Sequence, residues 1–204
     1  MAQRGNPFVV APETRPRPAA DTLEDLLDHD VIQHGPASPA HVTVALPEDT
    51  TGWPQTIVTD FRAVTVFGLH GGAGTSTLAS LFGEDALDAG TGWPVPGGWT
   101  RPLPTLDVLA VARTHHAGLA AAEAFTNQWG AGHLPSSSRL LGLVLVDDGP
   151  VLTDGQKKAV KRLARKVPRG AHLPWMEAWR HLQPDPDRLP RRITKIIHAF
   201  RTHR

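Results

Sequence analysis

The sequence predicts a three-layer α/β fold: a mostly parallel sheet with helices on both faces, a shortened core and a disordered N-terminal arm. Three observations lead there. Short apolar, β-branched runs alternate with helical stretches along the chain, the order that a parallel sheet with crossover helices requires. A glycine-rich run, His70 to Thr77, falls between the first such strand and the first such helix. Composition suits a packed core, with 40% hydrophobic and 20% charged residues in 204.

Residues 1–60 read as a peripheral arm. The first 20 positions are punctuated by proline and arginine, which predicts disorder. Residues 22–32 read as a short acidic helix with Asp21 or Thr22 as its cap, and 41–46 as an edge or flap strand. The core, 61–180, opens with a buried strand over 63–68. A helix follows over 75–82, with Leu78, Leu81 and Phe82 facing inward. Residues 89–105, rich in Gly, Pro and Trp, read as a loop. Next come a strand over 106–112, an Ala-rich helix over 117–129, and a strand over 140–146 that ends at Asp147-Asp148-Gly149-Pro150. Thr153 or Asp154 caps a basic helix running to 167, and 171–174 reads as a last short strand. Thr-Gly-Trp-Pro occurs at 51–54 and at 91–94 without wider similarity, so it reads as two turns that bury a tryptophan rather than a repeat. Trp175 and Trp179, four apart, share a helical face and read as packing residues.

Residues 181–204 form a basic amphipathic helix in this reading. Ile193, Ile196, Ile197 and Phe200 recur at helical spacing among Arg191, Arg192, Lys195, Arg201 and Arg204. Such a helix can dock on its own core, lie on an anionic membrane or, with the basic stretch 156–166, contact DNA. Charge separates along the chain: residues 1–100 hold 4 Lys/Arg against 12 Asp/Glu, and residues 101–204 hold 17 against 8. A basic half of this kind suits an anionic partner or an acidic segment of the same protein.

Several chemistries are excluded. The chain has no cysteine, so it has no disulfides, thiolate metal sites or thiol nucleophile. It lacks a Gly-x-Ser-x-Gly elbow, and Ser136-Ser-Ser138 lies in a loop with no evident base. His115-His116 are adjacent and would point apart, with no HExxH spacing nearby. No apolar stretch has the length of a signal peptide core or a membrane span, which predicts a cytoplasmic protein.

The glycine run carries the chemistry. A phosphate-binding loop needs backbone N–H groups converging at a helix start, where the helix dipole favours negative charge. Glycines permit the backbone turns and keep side chains out of the way. Residues 67–78, Phe-Gly-Leu-His-Gly-Gly-Ala-Gly-Thr-Ser-Thr-Leu, resemble the deviant Walker A motif of the ParA/MinD partition and positioning ATPases, Lys-Gly-Gly-x-Gly-Lys-Thr-Thr. Gly71, Gly72 and Gly74 match, and Ser76 stands where the magnesium-ligating hydroxyl belongs. His70 replaces the signature lysine that reaches a partner subunit's nucleotide, and Thr75 replaces the lysine that holds the β- and γ-phosphates. The resemblance extends over about residues 62–175, with a shortened middle. Asp88 is the one candidate for the family's second aspartate motif. The pattern, including residues 173–180, is also similar to small uncharacterised actinobacterial proteins of mobile elements.

What the resemblance implies is a P-loop-type protein binding ATP or ADP with Mg²⁺ through His70, Gly71, Gly72, Ala73, Gly74, Thr75 and Ser76, with Ser76 as the metal ligand. Arg113, at the end of a strand, is the candidate replacement cation; its other reading is a solvated arginine. Asp147 either acts as a strand-end acid toward the nucleotide or simply begins a loop. No catalytic residue is assigned, because loss of both lysines makes fast hydrolysis unexpected. The implied role is a pseudo-ATPase or nucleotide-responsive protein in plasmid or mobile-element partition, transfer or positioning, with a protein partner or homodimer. The alternative is a scaffold module without nucleotide, whose basic C-terminal half contacts DNA, anionic membrane or protein.

Overall fold

The computed structural model describes residues 31–41, 53–99 and 101–201. Most of the acidic helix and the flap strand expected in the arm lie outside these residues. Ile32, the last position of that expected helix, instead opens strand β1 (Ile32–His34). The other strands are β2 (Gln55–Val58), β3 (Val64–Gly68), β4 (Ala86–Asp88), β5 (Trp93–Pro96), β6 (Leu106–Arg113), β7 (Ser138–Val146) and β8 (Arg169–Leu173). Four α-helices are described: α1 (Thr75–Phe82), α2 (His116–Gly130), α3 (Asp154–Ala164) and α4 (Arg191–Arg201).

Six strands form one sheet in the order β1-β8-β7-β6-β3-β4. All neighbours are parallel except β1, which runs antiparallel along β8 with Ile32 opposite Ala171. The central strands are apolar on both sides, as burial between two helical layers demands. Val64, Val66, Leu109 and Val111 face one cluster with α1 and α4, while Phe67, Val108, Ala110 and Ala112 face the other with α2 and α3. The register of β6 against β7 slips between Val108 and Leu109, leaving Leu141 as the extra residue. Leu140 and Leu141, adjacent on the strand, serve opposite clusters. Gly142 follows because nothing larger fits: a Cβ there would lie 2.0 Å from the Arg169 carbonyl oxygen and 2.8 Å from the Phe200 ring.

Two pieces of the supposed arm join the structure. Val31 is buried in the α1/α4-side cluster, and β2 pairs in parallel with β5 as a separate two-stranded sheet. The stretch expected as one loop, 89–105, contains β5 despite Pro94 and Pro96. Two strands suffice there, so the missing N–H groups cost little. The tryptophans of the two Thr-Gly-Trp-Pro segments pack on the same ring, Phe125. The Trp53 and Trp93 rings lie 5.5 and 6.0 Å from Phe125, and Trp93 lies 5.4 Å from Phe67.

Helix α3 begins with a full capping box, Thr153 accepting from the Gln156 N–H while the Gln156 side chain accepts from the Thr153 N–H. It is tied to α2 by Glu123, which meets both Lys166 and Arg162. Burial pushes the Glu123 carboxyl up, but its bonds to Lys166 and Arg162 outweigh that and hold it below the usual carboxylate range. A depressed pKa stabilises the fold above the unfolded value, near 4.5, and the contribution disappears as pH falls through the folded value. Thermal melts of Glu123→Gln should therefore show a deficit of about 0.5–1 kcal/mol at neutral pH, kept small by the pair's exposure. That deficit closes in acid, below the ordinary carboxylate range.

Helix α4 lies on the sheet. Ile193, Ile196, Ile197 and Phe200 are all buried in the cluster shared with α1. At its far end Arg201 donates to the Phe82 carbonyl at 2.6 Å and approaches Asp85 at 3.5 Å, capping the exit of α1. No helix among the described residues is long and apolar enough to cross a membrane.

Candidate functional site

The parallel strands deliver their C-terminal ends to one edge, where open α/β sheets hold ligands. Gly68 ends β3, Arg113 ends β6, Val146 ends β7 and Leu173 ends β8. The glycine run leaves β3 at this edge and enters α1. Gly72 has φ 73°, and Gly74, the N-cap of α1, has φ 98°, so two of its three glycines hold left-handed backbone that L side chains resist. A Cβ on Gly71, Gly72 or Gly74 would meet nothing within 4 Å. The loop is therefore glycine-rich for its backbone path and its open front rather than for tight packing.

The amide inventory bears directly on ligand binding. Ala73 N–H donates to the His70 carbonyl at 3.3 Å, and Leu78 N–H starts the α1 ladder at Gly74. Among the described residues, no protein group accepts from the N–H of Gly72, Gly74, Thr75 or Ser76. These donors sit at the positive end of α1 with no acid in its first turn.

The side chains around the loop divide into two sets. Ser76 Oγ donates to Asp88 Oδ2 at 2.5 Å, and Asp88 Oδ1 accepts from Gly90 N–H at 2.9 Å. Asp88 stands at the end of β4 beside Val66, so a hydroxyl and a carboxylate face each other next to the free amides. Arg113 reaches over the loop: its Nε donates to the Gly72 carbonyl at 3.2 Å, and Nη1 lies 3.8 Å from Asp148 Oδ1. That brings the one cation expected to replace a lysine to the glycine loop itself. Thr75 is the first residue of α1 and adds no charge.

Two of the residues expected at a ligand are engaged elsewhere. His70 turns inward. Its Nδ1–H donates to the Gly71 carbonyl at 2.9 Å, and its Nε2 accepts from Arg113 N–H at 3.0 Å, which assigns the Nδ1–H tautomer. The ring also lies edge-on to His115 at 4.9 Å, and Gly118 leaves room for it, since a Cβ there would sit 2.9 Å from Nε2. His70 thus pins the loop to the end of β6 and does not reach outward from it. Asp147, 7% exposed, has both oxygens occupied: Oδ1 accepts from His172 Nε2–H at 2.7 Å and Oδ2 from Trp175 N–H at 3.3 Å. Its carboxylate orders the turn after β8, although the residue lines the cleft.

A cleft of about 130 Å³ runs from Gly74 and Thr77 past Arg113 and Asp147 to Trp175 and Trp179. Trp175 and Trp179 do not share an α-helix: Trp179 sits in a single 3₁₀ turn, Glu177–Arg180, Trp175 precedes it, and both line the cleft. Arg180 stacks 6.0 Å from the Trp175 ring centroid. His115 caps α2 by accepting from Gly118 N–H at 3.1 Å. Among the described residues no group of three or more His, Asp or Glu side chains could hold a metal ion alone.

A family model described as "Family of unknown function (DUF6668)" matches residues 62–197, from just before β3 into α4. No curated protein and no solved structure matches the chain.

Proposed function

The chain belongs to the DUF6668 family, and we propose that it is a Mg²⁺-dependent nucleotide-binding protein of degenerate P-loop type, similar to ParA and MinD, that does not turn ATP over rapidly. One observation carries this reading: the N–H groups of Gly72, Gly74, Thr75 and Ser76 point without protein acceptors from a strand-to-helix junction. Backbone donors of this kind bind the phosphates of ATP or ADP. Ser76 and Asp88 offer Mg²⁺ two hard oxygen ligands, and the ion's remaining positions suit phosphate and water. Arg113 supplies one guanidinium beside the loop, and the cleft toward Trp175 and Trp179 offers the nucleoside an apolar, aromatic lining.

Hydrolysis is a different matter. Phosphoryl transfer depends on neutralising charge at the transferred group, and both lysines that do so in the ParA/MinD family are replaced here. Each missing electrostatic group costs on the order of 10²–10³ in rate. A protein that binds nucleotide and does not discharge it quickly suits a scaffold or nucleotide-sensing role in partition, transfer or positioning of mobile DNA.

With the lysines gone, Mg²⁺ must supply most of the positive charge. Titration of the full chain with ATP or ADP should then show binding with Mg²⁺ and none in chelator. Asp88→Asn should weaken Mg²⁺-nucleotide binding about tenfold or more, the usual cost of disturbing a ligand set. Unchanged affinity in chelator and in Asp88→Asn would remove the metal from this reading.

A second reading has its own observation: α3 and its C-cap expose Lys157, Lys158, Lys161, Arg162 and Arg165. This basic surface suits an anionic partner whether or not nucleotide binds. Membrane contact through the apolar side of α4 is less favoured, because that side is buried against the sheet.

A further inference from the structure

A groove of about 250 Å³ lies between β1 and α3, and its lining is both apolar and basic. Val31, Val160 and Leu152 supply the apolar surface, and Lys157 and Lys161 the charge. Val31 is the first described residue after the N-terminal stretch, and it lines this groove.

That stretch is its chemical complement. Residues 21–30 contain Asp21, Glu24, Asp25, Asp28 and Asp30 with no lysine or arginine. Leu23, Leu26 and Leu27 follow the i, i+3, i+4 spacing of one helical face. We propose that residues 21–30 dock in this groove as an acidic amphipathic segment, the leucines on Val160 and Leu152 and the carboxylates toward Lys157 and Lys161. Direct attachment to Val31 makes docking intramolecular, and a short connection gives an effective concentration in the millimolar range. Modest contacts therefore suffice. Docking also neutralises part of the basic α3 surface, which lowers its attraction for other polyanions. This inference is independent of nucleotide binding.

The absence of cysteine makes the test direct. A spin label on Asp25→Cys in the full chain should selectively broaden the amide signals of residues 157–164. Adding Lys157→Glu and Lys161→Glu, or separately Leu26→Ser and Leu27→Ser, should restore those signals. Broadening that is absent, that is spread evenly over the surface, or that persists in Lys157→Glu/Lys161→Glu overturns the proposal. So does broadening seen only between labelled and unlabelled copies in a mixed sample, which would place a second molecule in the groove.

Discussion

Gly74→Val is expected to abolish nucleotide binding while leaving the protein folded. Gly74 caps α1 at φ 98° and ψ 21°, and a β-branched residue held there costs about 1–3 kcal/mol. The easiest relief is to rotate the peptide, which turns the Gly74 and Thr75 amides away from their common front. Two of the four unengaged donors are then lost to the ligand, so affinity should fall by roughly 100-fold, about 2.7 kcal/mol. The fold should survive because a Cβ at this position meets nothing within 4 Å. Calorimetric titration beside a thermal melt reads both halves of the prediction. Gly71→Ala is the natural control, since Gly71 is not among the positive-φ glycines and its front is equally open.

The second large effect concerns α4. Ile193, Ile196 and Phe200 are almost wholly buried, and Ile197 is 4% exposed. Burying each such side chain contributes about 1.5–3 kcal/mol, an upper range that still sums to roughly 6–12. Whole domains are stable by only about 5–15 kcal/mol. Removing residues 189–204 should therefore abolish the cooperative thermal transition, and Ile196→Asp should come close by placing a charge in a dry core. A melt that is unchanged, accompanied by loss of binding to anionic vesicles, would instead make α4 an interface helix. Arg201→Ala should have a far smaller effect, limited to its cap on Phe82 and its exposed pair with Asp85.

Much of the core was legible because its signals are local. Residues 75–82 carry helical spacing directly after a glycine run, and the helix has those bounds. Apolar runs at 106–112 and 140–146 are seven residues each, a strand's length rather than a helix's, and both lie in central strands. The missed strands are short or disguised. Three residues of β4 offer little pattern, β5 contains two prolines, and β1 continues from an acidic stretch that reads as helix.

The candidate site was legible as a location and partly illegible as chemistry. Arg113 was placed from its position at a strand end, which topology alone determines. His70 looked like a residue facing ligand, because its inward bond goes to an amide 43 positions away. Asp147 gave no sign that His172 and the Trp175 amide occupy it. Asp88 stood out only as the one candidate for a second aspartate motif, with no partner assigned to it. Its value lies in the bond from Ser76, which depends on β4 pairing with β3.

The central claim is that four unengaged amides and a Ser76–Asp88 pair hold a Mg²⁺-nucleotide. Isothermal titration of the full chain with ADP and ATP, each with excess Mg²⁺, tests it most directly. Saturable binding tighter than about 1 mM, equivalent to roughly 4 kcal/mol, is the predicted result. No heat of binding with either nucleotide at millimolar concentration would contradict it and leave the loop as a relic of a phosphate site.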